Sequence, residues 1–153
     1  KLESHRDGQM SEREHHRKKF YEGSDAMALV RMVPEEEATG KVKEIYDDIK
    51  SKLGIDFVPP LYRTMAPSPA TLEAGWNKKY AAMDRPGKLD GLTKHIIAVA
   101  VSATNGCTYC TEVHLEAAKE AGLDDEAVVE LMAVVDAMSG LNKFVEGLQV
   151  CAD

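Results

Sequence analysis

The sequence lacks any long apolar run and any nucleotide-binding signature. Its most apolar stretch, residues 96–103, is far shorter than the roughly 20 residues that a membrane-spanning helix needs. Neither a P-loop nor a G-x-G-x-x-G pattern occurs, so we expect no organic cofactor. A net charge of -7 disfavours nucleic acid, because its phosphates would be repelled. These features favour a globular protein with neither a membrane nor a nucleic acid as partner.

Cysteine is scarce, and its few copies are informative. The chain has three cysteines, two of which form a single C-x-x-C. Such a set does not make a disulfide scaffold. Residues 1–25 are highly polar and do not resemble a secretory signal. We therefore expect a cytoplasmic protein in which the C-x-x-C serves as a redox or metal site.

The alternation of apolar and polar residues that is typical of β-strands is also missing, whereas helical periodicity recurs along the chain. Val42, Ile45, Tyr46 and Ile49, for example, follow the i, i+3, i+4, i+7 pattern of a half-buried helix. Residues 92–104 are mostly apolar, which predicts burial on nearly all sides. We predict an all-α fold, with helices over residues 35–53, 61–65, 69–83, 92–104 and 106–121, one beginning at 124, and a last one over 138–150.

The chain is long enough for one domain with an ordinary core, preceded by a polar segment. Residues 1–25 carry six Lys/Arg and six Asp/Glu and few apolar anchors. We predict that they form a solvated arm, either flexible or docked on a neighbouring subunit. Residues 26–153 are predicted to form the all-α domain.

The residues best suited to catalysis or metal binding are Cys107, Cys110 and His114. They lie at i, i+3 and i+7 and therefore share one face of a helix. Their spacing alone leaves three hypotheses open. The cysteines could form a dithiol–disulfide redox pair, or bind zinc with His114 and a fourth ligand from His95 or Cys151. They could also be small buried side chains beside a core histidine.

Two physical arguments favour different sulfurs as the more reactive one. Asn105-Gly106 is a turn signal, which places Cys107 in the first turn of the next helix, where the helix dipole favours a thiolate. His114 lies one turn after Cys110, which favours Cys110 as the thiol activated by a base.

The stretch from residue 95 to residue 114 resembles the alkylhydroperoxidase D-like (carboxymuconolactone decarboxylase) family. That family has an apolar helix, then Asn-Gly-Cys-x-Tyr-Cys-x-x-x-His, then an alanine-rich helix closed by Gly-Leu. Gly122-Leu123 closes the corresponding helix in this chain, and weaker similarity extends back to about Met32 and forward to Val150. The motif reads Asn105-Gly106-Cys107-Thr108-Tyr109-Cys110-Thr111-Glu112-Val113-His114.

This resemblance implies an all-α fold in which the C-x-x-C helix packs in an antiparallel helical pair, and subunits that assemble as trimers or hexamers. It also implies thiol peroxidase activity on a hydroperoxide, with a dithiol protein as reductant. Cys110 would be the attacking thiol, His114 its base and Cys107 the resolving thiol. No metal ion is expected in this cycle.

One position departs from the family pattern. The redox members carry a glutamate twelve residues before the first cysteine, where it feeds a proton relay, and this chain has His95 there. An imidazole can also relay protons near neutral pH, so we include His95 among the candidate catalytic residues. Two alternatives remain: a lyase acting on a lactone acid, from a branch that usually lacks the cysteine pair, and a non-enzymatic zinc-binding or assembly module.

Overall fold

The computed structural model describes residues 28–151, and the regular structure in this range is entirely helical. A 3-10 turn, Glu35–Glu37, precedes the first α-helix, and a π-helical turn, Tyr80–Asp84, follows the third. The prediction of an all-α fold is therefore confirmed. The α-helices are α1 Gly40–Leu53, α2 Pro60–Met65, α3 Pro69–Lys79, α4 Gly91–Thr104, α5 Thr108–Glu120 and α6 Asp125–Gly147.

The chain divides into two compact units, which meet in the sequence between Ala81 and Ala82. The arm predicted for residues 1–25 lies outside the described residues. A single domain over residues 26–153 stays a prediction.

The core of the first unit is built around Trp76, which is 2% exposed. Its indole N–H donates to Asp48 Oδ2 at 2.7 Å, and its ring meets Tyr62 edge-on with the ring centroids 5.4 Å apart. Trp76 therefore anchors this core. At the start of α3, Ser68 is the N-cap and accepts the Thr71 N–H at 3.4 Å, while Pro69 occupies the first helical position. The other buried members are Ala38, Ile45, Tyr46, Ile49, Val58, Tyr62, Ala66 and Leu72.

Tyr46 places a titratable hydroxyl in this core. Its side chain is 2% exposed, and its hydroxyl donates to the Val33 carbonyl oxygen at 3.0 Å. Burial raises the pKa of Tyr46 to about 12, because a phenolate would lose its hydration. The folded state therefore holds this proton more tightly than the unfolded chain does.

We expect this group to make the protein sensitive to alkali. Its contribution to stability is fully present below the unfolded pKa of about 10 and is lost as pH rises toward the folded value of about 12. In that window the free energy of unfolding should fall by roughly 1 kcal/mol per pH unit from Tyr46 alone. Tyr46→Phe should remove this part of the loss while costing about 1 kcal/mol at neutral pH. Urea unfolding of both proteins between about pH 7 and 12 measures this, and equal alkaline losses would contradict it.

In the second unit, α4 and α5 are joined by a tight turn and pack against each other. Asp90 caps α4 by accepting the Thr93 N–H at 2.7 Å. After α4, Gly106 adopts a φ of 70°, a left-handed conformation that a side chain would disfavour. The Cys107 N–H then donates to the Ser102 carbonyl oxygen at 2.9 Å, which fixes the reversal of the chain.

The structure corrects the sequence prediction at α6. We predicted separate helices beginning at 124 and 138, whereas Asp125–Gly147 is one helix of 23 residues. The apolar periodicity continues through the predicted boundary before Met138, and Gly140, just after it, does not interrupt the helix. A helical glycine costs only about 1 kcal/mol relative to alanine, and the good helix formers on either side outweigh this cost. Asp124 caps this helix by accepting the Ala127 N–H at 2.8 Å.

The apolar helix α4 is less buried than predicted. Only Val99 and Ser102 are buried, while Ile97 and Val101 are 48% and 54% exposed. The apolar composition therefore identified a surface that is stabilised by burial, but it did not show what that surface packs against. Among the helices of residues 28–151, none combines the length and apolarity required to cross a membrane.

Candidate thiol redox site

The first turn of α5 is organised by Cys107. This residue is the N-cap, one position before the helix, and its Sγ accepts the Cys110 N–H at 3.3 Å. The prediction that Cys107 lies at the start of the helix is correct to within this one position. A sulfur held among the unpaired N–H groups of a helix N-terminus is well placed to carry negative charge.

The sulfurs of Cys107 and Cys110 are joined as a disulfide, with their Cα atoms 5.4 Å apart. The two residues can therefore alternate between a dithiol and a disulfide without moving to different elements. The third cysteine, Cys151, is exposed and is not part of this pair.

Across the helical pair, His95 of α4 meets His114 of α5. Their Nδ1 atoms lie 3.2 Å apart, within hydrogen-bond distance, and their ring centroids are 5.3 Å apart. Both side chains are half-buried. The sequence selected both histidines, but it did not predict that their rings touch, because the contact joins positions 19 residues apart.

The remaining residues of the motif lie around the cysteines and His114. Glu112 is exposed, since it lies two residues from both Cys110 and His114 and therefore on another face of the helix. Tyr109 is half-buried next to Cys110 in the sequence. The Thr111 hydroxyl donates to the Cys107 carbonyl oxygen at 2.9 Å, while its N–H donates to the same oxygen at 2.9 Å. Our sequence reasoning missed this support of the first turn, although a threonine four residues after an N-cap is a recognisable signal for it.

The zinc hypothesis gains no support from the structure. With Cys107 and Cys110 joined to each other, their sulfurs do not combine with the histidines as a ligand set. Within the part of the chain that the structure describes, no three His, Cys, Asp or Glu side chains are grouped as metal ligands.

The site therefore consists of a disulfide at the start of α5, a histidine one turn after Cys110, and a second histidine on α4. The comparison with known proteins agrees with that description. The model of the carboxymuconolactone decarboxylase family matches residues 69–153, and the chain belongs to this family. Its fold is similar to the crystal structure of the alkylhydroperoxidase AhpD core from Rhodospirillum rubrum, with a TM-score of 0.78 and 34% identity over 83% of this chain and 95% of that one.

Curated relatives point to more than one activity within the family. The chain is 32% identical over 73 residues to an alkyl hydroperoxide reductase AhpD of Solibacter usitatus, covering 42% of this chain and 41% of that protein. It is 31% identical over 104 residues to an (R)-2-haloacid dehalogenase of Pseudomonas putida, covering 68% of this chain and 34% of that protein. The chain therefore spans less than half the length of these relatives.

Proposed function

We propose that the protein is a thiol-dependent peroxidase that reduces an alkyl hydroperoxide through a Cys107–Cys110 dithiol–disulfide cycle. The observation that carries the proposal is the pair of sulfurs within bonding distance at the start of α5, one turn before His114. The similarity to two AhpD proteins supports the same chemistry. A cytoplasmic setting fits, because reductants there return disulfides to thiols.

The first half of the cycle oxidises Cys110. His114 takes the Cys110 proton, and the thiolate attacks the terminal oxygen of the hydroperoxide. The S–O bond forms as the O–O bond breaks, and the alkoxide leaves and takes a proton to become the alcohol. Cys110 is now a sulfenic acid, having given two electrons to the peroxide.

The second half restores the site. The Cys107 thiolate attacks the Cys110 sulfur, and hydroxide leaves and is protonated to water. The product is the disulfide that the structure contains. A dithiol donor, which we propose to be a partner protein, then reduces it by thiol–disulfide exchange and is itself oxidised.

The position of each sulfur supports the proposed roles, in which Cys110 attacks the peroxide and Cys107 resolves the sulfenic acid. His114 lies one turn along α5 from Cys110, and helical side chains lean toward the N-terminus, so its ring leans toward the Cys110 level. Cys107 instead accepts a backbone N–H at the N-cap, which favours a thiolate without a base. A sulfur activated by a base suits peroxide attack, and a resting thiolate beside it suits resolution of the sulfenic acid.

We also propose that the protein works as a homo-oligomer. Helix α6 has no buried residue, and large apolar side chains project from it. Val134 is 62% exposed and Phe144 is 65% exposed. An apolar helix of this length is costly to leave in water, and a second copy of the chain offers the same surface for it to cover.

Selective alkylation tests the proposed function. Reduced protein should consume an alkyl hydroperoxide for as long as a dithiol is supplied, and blocking its thiols with iodoacetamide should abolish consumption. Protein alkylated while oxidised, and so protected at Cys107 and Cys110, should stay active after re-reduction. Activity on a lactone acid or a 2-haloacid that is indifferent to alkylation, with no peroxide consumption, would contradict the proposal.

A further inference from the structure

The two sulfurs of the disulfide have different surroundings. Cys107 is the N-cap of α5, and its Sγ accepts the Cys110 N–H at 3.3 Å. Cys110 lies in the first turn of the helix, one turn before His114. A reductant breaks the S–S bond by attacking one sulfur while the other leaves as a thiolate. The two sulfurs are therefore not equivalent toward a dithiol donor.

Cys107 is the better leaving group of the pair. In thiol–disulfide exchange, the sulfur that is more stable as a thiolate leaves faster. If Cys107 leaves, its negative charge forms at the N-terminus of α5, next to an N–H that already points at the sulfur. If Cys110 leaves, its charge forms one turn further along, and its own N–H is already bonded to Cys107. The leaving-group argument therefore selects Cys110 as the sulfur that a donor attacks.

The direction of attack selects the same sulfur. Exchange proceeds in line, with the attacking, attacked and leaving sulfurs along one axis. Cys107, Cys110 and His114 follow one another along one face of α5, at i, i+3 and i+7. A donor that attacks Cys110 from the side opposite Cys107 therefore arrives on the side of His114, whose imidazole can take its proton. Attack on Cys107 would come instead from the side of the turn that precedes α5.

We propose that the dithiol donor attacks Cys110, so that the mixed disulfide forms at this sulfur and Cys107 leaves as the thiolate. This inference rests on the proposed peroxidase function for its place in the cycle. In the first step, the donor thiol gives its proton to His114 and its sulfur bonds to Cys110, while the bond between Cys107 and Cys110 breaks.

The second step completes the reduction. The donor's other thiol gives its proton to the Cys107 thiolate and attacks the donor sulfur of the mixed disulfide. Cys110 leaves and takes the proton that His114 had stored. The donor has then lost two electrons and become a disulfide, both cysteines are thiols again, and His114 is neutral.

A monothiol identifies the attacked sulfur, because it has no second sulfur on the same molecule with which to complete the reduction. Oxidised Cys151→Ser protein is mixed briefly with glutathione at about pH 7.5 and quenched in acid, which protonates the thiolates and stops exchange. At the earliest times, tandem mass spectrometry should find glutathione on Cys110 at least about 10-fold more often than on Cys107. Equal amounts on the two cysteines, or an excess on Cys107, would overturn the inference.

The cause of the preference is measured separately in variants that keep one cysteine. In the Cys151→Ser background, Cys110→Ser leaves Cys107 alone and Cys107→Ser leaves Cys110 alone. The ultraviolet absorbance of the thiolate, followed against pH, should give Cys107 the lower thiol pKa of the two, because it lies at the helix N-terminus. A lower pKa for Cys110 would remove the reason for the preference and overturn the inference.

Neither measurement uses a peroxide, so the two proposals can fail separately. Glutathione on Cys110 in a protein that does not reduce hydroperoxides would overturn the peroxidase function, while the attacked sulfur would stay as assigned. Glutathione on Cys107 in a protein that does reduce them would overturn the assigned sulfur alone.

Discussion

Cys110→Ser is expected to lower the rate of hydroperoxide reduction by at least about 10³-fold, because it removes the atom that accepts oxygen from the peroxide. A serine hydroxyl cannot be oxidised as a thiolate is, and Cys107, about two turns before His114, is left without a partner. Peroxide consumption at a fixed dithiol concentration measures the loss. Circular dichroism should show an unchanged helix content, since Cys110 is half-buried and its replacement is close in size.

Cys151→Ser is the matched control for this substitution. It removes a cysteine that is exposed and lies outside the pair, so activity should stay at the wild-type level. If Cys110→Ser remained active while Cys107→Ser lost all reaction with peroxide, the two sulfurs would have exchanged roles. The proposed assignment of the attacking and resolving cysteines would then be wrong, although the two cysteines would still form a redox pair.

Cys107→Ser should produce a different failure, in which the protein reacts with peroxide once and then stops. Cys110 should still be oxidised by one equivalent of hydroperoxide, but no resolving thiol would follow. Sustained turnover should fall by at least about 10²-fold, and a sulfenic acid should accumulate that dimedone traps at Cys110. Mass spectrometry of the labelled peptide measures this.

The helix should survive this substitution, because serine is among the most favourable N-cap residues and would replace a cysteine that already accepts the Cys110 N–H. A loss of activity could therefore not be attributed to unfolding of α5. Turnover at the wild-type rate in Cys107→Ser would show that the sulfenic acid is reduced directly, with no internal disulfide.

Sequence patterns predicted the local features of this protein well. The C-x-x-C helix and the buried face of α1 at Ile45, Tyr46 and Ile49 follow from rules that act within one or two helical turns. These local rules could not predict the ring contact of His95 and His114, because it depends on the length of the turn after α4 and on how α4 and α5 pack. Periodicity selects a face of a helix, but it does not give the register between two helices.

The two errors have related causes. We predicted that one helix ends before Met138 and that another begins there, whereas the helix formers on both sides of this boundary continue a single helix, Asp125–Gly147. At Ile97 and Val101 we read apolar character as burial, whereas both side chains are about half exposed. In each case the outcome depends on more of the chain than a short window of the sequence contains.

A count of free thiols before and after peroxide tests the central claim most directly, with the metal content assayed on the same sample. Fully reduced protein should show three thiols, and one equivalent of hydroperoxide should leave one, that of Cys151. A dithiol should restore all of them. If the thiols of the metal-free protein persist after peroxide, or if bound zinc masks them in the purified protein, the Cys107–Cys110 pair does not carry a peroxidase cycle and the account is wrong.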